Sequence, residues 1–550
     1  MTRVAQIQLQ NVSFSYPNTD HPVLRDVCLE IHSGEFILVV GPSGSGKSTL
    51  LRTLNGLVPH FSGGRIAGQV LVDGQNPVIE GPHCMSTIVG LVQQDPEAQF
   101  VVDTVEDELA FGMENQAVAP ALMRKRIEEV LDQLSIAHLR QRRISSLSAG
   151  EKQRVAIGSV LTLQPRILVL DEPTSQLDPQ AAEEVLTTLR QLNADLGLTI
   201  ILSEHRLERV VQYADRMVYL PGLGENLVVG KPEEVLLQVP FAPPLVQLAK
   251  ALGWRPVPLT VKEARPFAAQ MDLRQAEPGA PQQAEGKTVE SPAHTTGPAH
   301  IDVQEIWYSY NGTDALRGVS LQAKGGELIA LMGRNGSGKT TLLKHMVGLL
   351  HPKRGHVVAH GQDTRDAPVE ALIQQVGYVP QDPNSLLFAD TVRQEMEFTR
   401  RAHALPPANT DEWLATLGLT GLGERYPRDL SVGERQRAAL AAILVAEPMT
   451  LLLDEPTRGL DPLEKESLAR FLKAQAAQGR AVIMATHDVE LAAACAQRVV
   501  ILSEGQVVVD GPAREVMSQS LTFASQVNKL FGDPRLLTVQ DVLKACAHEN

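Results

Sequence analysis

The chain has 550 residues, of which 43% are hydrophobic, 21% charged and 4% aromatic, and its formal net charge is −14. This is ordinary globular usage, with sequence for about two to five domains, and it excludes a collagen-like, coiled-coil or fully disordered chain. The acidic balance, the lack of any Lys/Arg block and the scarcity of aromatic residues argue against nucleic acid as a partner.

Cys28, Cys84, Cys495 and Cys546 show no metal spacing and read as idle thiols of a reducing compartment. The N-terminus, MTRVAQIQLQNVSFSYP, has no apolar core of signal-peptide length. The apolar runs are strand-sized, well short of the roughly 20 residues a membrane helix needs. A cytoplasmic chain is expected, and any work at a membrane then requires docking onto subunits that span it.

In chain order, FSYP carries Tyr16, which could pack on a strand or stack on adenine. EFILVV (35–40) reads as a buried strand that runs into GPSGSGKST (41–49) and then a helical pattern, STLLRTLNGL. That is the GxxxxGK[ST] phosphate loop in its proper context. Gly41, Gly44 and Gly46, with Pro42, Ser43, Ser45 and Thr49 around them, let backbone N–H groups approach phosphate oxygens. The helix N-terminus adds positive potential. Lys47 is expected on the β- and γ-phosphates of ATP and Ser48 on Mg²⁺. Gln94, in VQQDPEAQF, is by itself a turn signal before Asp-Pro. RILVLDEP is a second buried strand, and it ends in Asp171 and Glu172. One acid suits hydrated Mg²⁺; its neighbour suits polarising a water. LTIILSEH is a third strand, and His205 after it suits a γ-phosphate sensor that also holds Glu172 in place.

The same text is then written again. GRNGSGKTT (333–341) repeats the phosphate loop, supplying Gly333, Arg334, Asn335, Gly336, Ser337, Gly338, Lys339, Thr340 and Thr341 after the strand ELIALM. LSAGEKQR (147–154) recurs as LSVGERQR (430–437), and LVLDEPTSQLDP (168–179) as LLLDEPTRGLDP (451–462). Tyr310, Gln381, Asp454, Glu455 and His487 stand where Tyr16, Gln94, Asp171, Glu172 and His205 stand in the first copy. Apolar strands alternating with helical stretches predict an α/β fold with a mainly parallel sheet in each half. The expected domains are 1–267 and 299–550, each with a C-terminal appendage. A Pro/Ala/Gln-rich flexible linker is expected at 268–298. The tails, 231–267 and 511–550, are expected to pack against each other. A short tether favours a pseudo-symmetric intramolecular pair of the two halves.

The segment Leu-Ser-x-Gly-Glu, opening a helix about two dozen residues before the Asp-Glu strand, resembles the signature of ABC-type ATPases. The resemblance covers nearly the whole chain apart from the linker. It implies two tandem P-loop NTPase domains of ABC ATPase type, each with a helical subdomain. It also implies roles for Gln94 and Gln381 on nucleotide and Mg²⁺, and D-loop aspartates at Asp178 and Asp461. In that architecture Ser431 and Gly433 complete the site of Lys47, while Ser148 and Gly150 complete that of Lys339, so that ATP closes the pair and hydrolysis reopens it. Both signatures carry Glu (Glu151, Glu434) where the commonest family form has Gln. Two hydrolysing sites are expected.

More narrowly, LNGLVPHFSGG (54–64) and DPEAQFVVDTVEDELAFGMEN (95–115) resemble the ATPase subunits of energy-coupling factor (ECF-type) importers. The second half, DPNSLLFADTVRQEMEF, keeps that pattern less well. The resemblance implies ATP-driven import of a vitamin, vitamin precursor or transition-metal ion, on the inner face of the cell membrane. The implied partners are ECF-type transmembrane and substrate-capture proteins, received at 94–110 and 381–397. The alternative is a ribosome-associated ABC-F-like ATPase. Such proteins carry a basic helical linker, unlike the Pro/Gln-rich one here.

Overall fold

The computed structural model describes residues 5–17, 19, 21–222, 225–271, 298–310, 312–406 and 410–547. Most of the expected linker, 272–297, lies outside the described residues. The chain divides into two units, Met1–Val246 with Arg255–Thr260, and Gln247–Trp254 with Val261–Asn550.

In the first unit the strand Phe36–Val40 is buried along its whole length, as are Ile167–Asp171 and Thr199–Ser203. Continuous apolar runs of this kind are what strands covered on both faces require. They sit in a sheet ordered Val89–Val92, Ile167–Asp171, Thr199–Ser203, Phe36–Val40, Arg216–Tyr219 and Val228–Gly230, parallel except for its last pair. A second, antiparallel sheet joins Leu24–His32, Ala5–Ser15 and Arg65–Val72. The helices Val105–Asn115, Pro120–Gln133 and Ala149–Leu161 pack on one another as a helical subdomain.

The second unit repeats the plan. Its main sheet runs Val376–Val379, Thr450–Asp454, Ala481–Ala485, Leu328–Met332, Arg498–Ser503 and Gln506–Pro512. Its antiparallel sheet joins Thr313–Lys324, Ala299–Tyr310, Arg354–Ala359 and Gln362–Asp363. Val392–Ala402, Asp411–Thr416 and Val432–Leu444 form its helical subdomain. The sequence-expected strands thus appear within a residue or so of the expected ends.

The C-terminal segment of the first repeat groups with the second unit. There the helix Val261–Ala268 packs against Gln526–Phe531 of the second tail. Trp254 stacks on Phe267 at 5.3 Å between ring centroids.

Candidate functional site

Both phosphate loops leave the C-terminal end of a buried strand and open a helix, Lys47–Leu54 in the first unit and Lys339–Met346 in the second. The glycines have identifiable work. A Cβ on Gly41 would lie 2.3 Å from the Leu220 carbonyl oxygen, and one on Gly333 would lie 2.2 Å from that of Leu502. Gly46 and Gly338 cap the helices at φ 97 and 104, a left-handed backbone that disfavours any side chain. Lys47 curls back over its own loop, donating to the carbonyls of Gly41 (2.9 Å) and Pro42 (3.0 Å). Lys339 does the same to Gly333 (2.8 Å) and Arg334 (3.1 Å).

The loops fit a phosphate. Ser45 Oγ and Ser337 Oγ are buried and have no hydrogen-bond partner among the described residues. Two buried hydroxyls left unsatisfied at the same loop position in both units are costly unless a ligand completes them. Thr49 and Thr341 are buried behind the loops, and Thr49 Oγ1 meets the Tyr16 hydroxyl at 3.0 Å. Tyr16 is therefore tied to the loop helix, with its ring edge-on to Phe14 at 4.9 Å. Tyr310 is 45% exposed and edge-on to Tyr308.

At the ends of the neighbouring strands the expected residues come together. Glu172 is held by two side chains: Gln94 Nε2 donates to its Oε2 at 2.7 Å, and His205 Nε2 lies 2.8 Å from Oε1. Glu455 lies 2.6 Å from His487 Nδ1. Among the described residues Gln381 makes no corresponding bond to Glu455. Glu172 and Glu455 both have left-handed backbones, φ 48 and 50, which for a non-glycine residue costs on the order of 1–2 kcal/mol. The same strain at the same acid in both units marks a position whose carboxylate direction matters more than its backbone comfort.

Asp171 is buried, and Ser203 Oγ donates to its Oδ1 at 2.6 Å. Asp454 is buried beside the Thr340 hydroxyl, which hydrogen-bonds it. Burial pushes Asp454 up to about 6, with the charge of Glu455 adding to it and the Thr340 bond and Lys339 opposing. An acid this buried, next to a loop hydroxyl, is the donor set that suits a hard cation. Glu204, wholly buried beside His205, is pushed above the usual carboxylate range by that burial, against the pull of the Thr174 hydroxyl that donates to it.

The signature residues Ser148 and Ser431 cap the helices Ala149–Leu161 and Val432–Leu444. Each forms a capping box: Ser148 N donates to Glu151 Oε2 (2.7 Å) and Ser431 N to Glu434 Oε2 (2.8 Å). The serine hydroxyls accept in return from Glu151 N and Glu434 N. Glu and Gln serve that position equally, so the Glu seen in both signatures keeps the local structure intact. Burial raises Glu151, but the Ser148 N–H and hydroxyl, with Arg142 and Arg154, hold it below its ordinary range. A Cβ on Gly150 would come 3.0 Å from Ala181 Cβ, and one on Gly433 3.0 Å from Glu464 Oε2. The signature glycines thus lie against the helices that Asp178 and Asp461 cap.

Sequence reasoning missed four residues in and around this constellation: Ser203, Glu204, Glu108 and Glu395. Glu108 is buried in the helical subdomain and accepts from Val101 N (2.9 Å) and Val102 N (3.1 Å), fixing the segment after Gln94. Glu395 does the same for Phe388 N and Ala389 N.

The profile of the ABC transporter family matches residues 24–175 and 316–458, together more than half of the chain. A Streptomyces coelicolor protein provisionally named an ABC transporter ATP-binding protein is 46% identical over 98% of this chain and 100% of its own. A Methanosarcina acetivorans protein named in the same way is 38% identical over 98% of this chain and 93% of its own. Among solved structures, cbiO1 of Clostridium perfringens, described as part of the ABC transporter complex cbiONQ, is 30% identical. It covers 42% of this chain and 90% of its own, with a TM-score of 0.38. The chain belongs to the ABC transporter family and carries two of its ATP-binding, ATP-hydrolysing domains.

Proposed function

We propose that this ATPase energises import of a small solute through integral membrane partner subunits on the cytoplasmic face of the cell membrane, as a translocase of the energy-coupling factor type. The observation that carries the hydrolytic part is the grip of His205 and Gln94 on Glu172, and of His487 on Glu455, beside a phosphate loop. Held by an imidazole, each carboxylate is aimed to take a proton from water attacking the terminal phosphate. Lys47 and Lys339 leave their loop carbonyls for the β- and γ-phosphates, and Ser45 and Ser337 satisfy their hydroxyls on phosphate oxygens. The residues to hold Mg²⁺ are Ser48, Asp171 and Gln94 in one half and Thr340, Asp454 and Gln381 in the other. Bound there, the ion neutralises charge on the phosphates. Tyr16 and Tyr310 border the adenine, and the signature pairs Ser148/Gly150 and Ser431/Gly433 each complete the other half's nucleotide. In that scheme the working domains are 1–267 and 299–550.

One observation supports the transport reading. The segments after Gln94 and Gln381 are held by buried glutamates while presenting apolar side chains outward: Val101 is 61% exposed, Phe388 62% and Phe398 48%. Apolar groups pinned at a surface suit a partner's helix. Among the described residues, no helix is long and apolar enough to cross a membrane. Glu172→Gln or Glu455→Gln should lower turnover at its site by about 100-fold or more while ATP still binds; unchanged turnover would remove that glutamate from the chemistry. Purification from membranes should retrieve integral membrane proteins whose presence alters ATPase rate. If rate is indifferent to them, the import reading fails while the ATPase stands.

A further inference from the structure

The two halves differ at two sheet positions beside the candidate metal carboxylate. In the first unit, Asp171 pairs across the sheet with Ser203. Ser203 is fully buried, donates through Oγ to Asp171 Oδ1 (2.6 Å) and accepts from Glu172 N (3.0 Å). One hydroxyl therefore fixes the rotamer of the aspartate and adds to the hold of the Ser203 carbonyl on Glu172 N, a carbonyl bond that Glu455 N also makes to Ala485. In the second unit, Asp454 pairs across the sheet with Ala485, which has no hydroxyl. The polar side chain nearest that carboxylate from the sheet is Tyr378, whose hydroxyl lies 3.5 Å from Asp454 Oδ2, the outer limit of a hydrogen bond. Tyr378 has an apolar counterpart, Leu91, in the first unit.

We propose that Ser203 is a positioning residue that presets Asp171 for the metal–nucleotide complex, so that the first half binds divalent metal with ATP more tightly than the second. This rests on the roles given above to Asp171 and Asp454. Groups that hydrogen-bond a metal-binding carboxylate fix its direction, and their loss typically weakens metal binding about 10- to 100-fold. Asp171 meets the ion already turned, with Oδ2 left for it. Asp454 has no such hydroxyl across the sheet: its hydrogen bonds come from Thr340, itself a proposed ligand of the ion, and from a tyrosine hydroxyl competing for Oδ2.

The test is an electron paramagnetic resonance titration of Mn²⁺ into the full-length chain saturated with the β,γ-imido analogue of ATP. Two bound Mn²⁺ per chain are expected, in two classes about tenfold apart. Ser203→Ala should weaken the tighter class about tenfold and bring the two together. Ser203→Thr, which keeps the hydroxyl, should preserve the difference. Ala485→Ser should tighten the weaker class, and it supplies the test even where Ser203→Ala folds poorly. Two Mn²⁺ of equal affinity, or classes untouched by both Ser203→Ala and Ala485→Ser, would overturn the proposal and leave the site assignment standing. No Mn²⁺ bound with the nucleotide would overturn both.

Discussion

At the scale of single residues, the signature glutamates illustrate how a departure from a family pattern can be structurally silent. Glu151 closes a capping box on Ser148, and a box is worth about 1 kcal/mol. Glu151→Gln should therefore leave urea stability within about 0.5 kcal/mol, whereas Glu151→Ala should lower it by about 1 kcal/mol. Equal losses in both would show that charge, and not the cap, is what matters there. His360 makes a second prediction. Burial, with His300 beside it at 4.6 Å between rings, pushes its pKa from 6.5 down to about 4. Below pH 6.5 the unfolded chain takes up a proton that the folded chain refuses until about pH 4, so stability is intact above that window and lost as pH falls through it. His360 has φ 47, a conformation asparagine tolerates. The loss of stability between pH 7 and 5 should be smaller in His360→Asn; an identical loss would place the titration elsewhere.

At the scale of elements, strands and phosphate loops were legible because the signals are local: an apolar run, a Gly-rich turn, an acid or His at the end. The hold of His205 on Glu172 was readable from the ends of the two strands, whereas the bond from Gln94 to Glu172, 78 positions apart in sequence, was not: the resemblance implied a role for Gln94 on the nucleotide and Mg²⁺ instead. The capping boxes are local, since Ser-x-x-Glu alone encodes them. Ser203 was hidden for another reason: its meaning lies in cross-strand register with Asp171, which single-sequence periodicity does not supply, although aligning the two halves exposes Ser203 against Ala485. Glu108 looked like one more acid of a charged helix. Its two backbone bonds make it the fastener of the segment after Gln94. Glu108→Ala strands two N–H groups and should cost about 2 kcal/mol in chemical denaturation. A neutral result would mean that the segment repairs itself with water.

At the scale of the whole molecule, the repeat was plain in the sequence, and the expected packing of the two tails on each other appears where Val261–Ala268 meets Gln526–Phe531; the grouping of 247–254 with the second unit was not legible. Segments 247–254 and 261–271 follow the first repeat in the chain and yet group with the second unit, through contacts such as Val261–Ala268 with Gln526–Phe531. The central claim is that each half supplies its own phosphate loop and its own hydrolytic glutamate, so that one substitution in each half disables one of two centres. The direct measurement is MgATP binding and turnover by the full-length chain carrying both Glu172→Gln and Glu455→Gln. The account predicts two ATP retained per chain, with turnover reduced at least about 100-fold. Turnover that survives the double substitution, or fewer than two ATP bound, would contradict it.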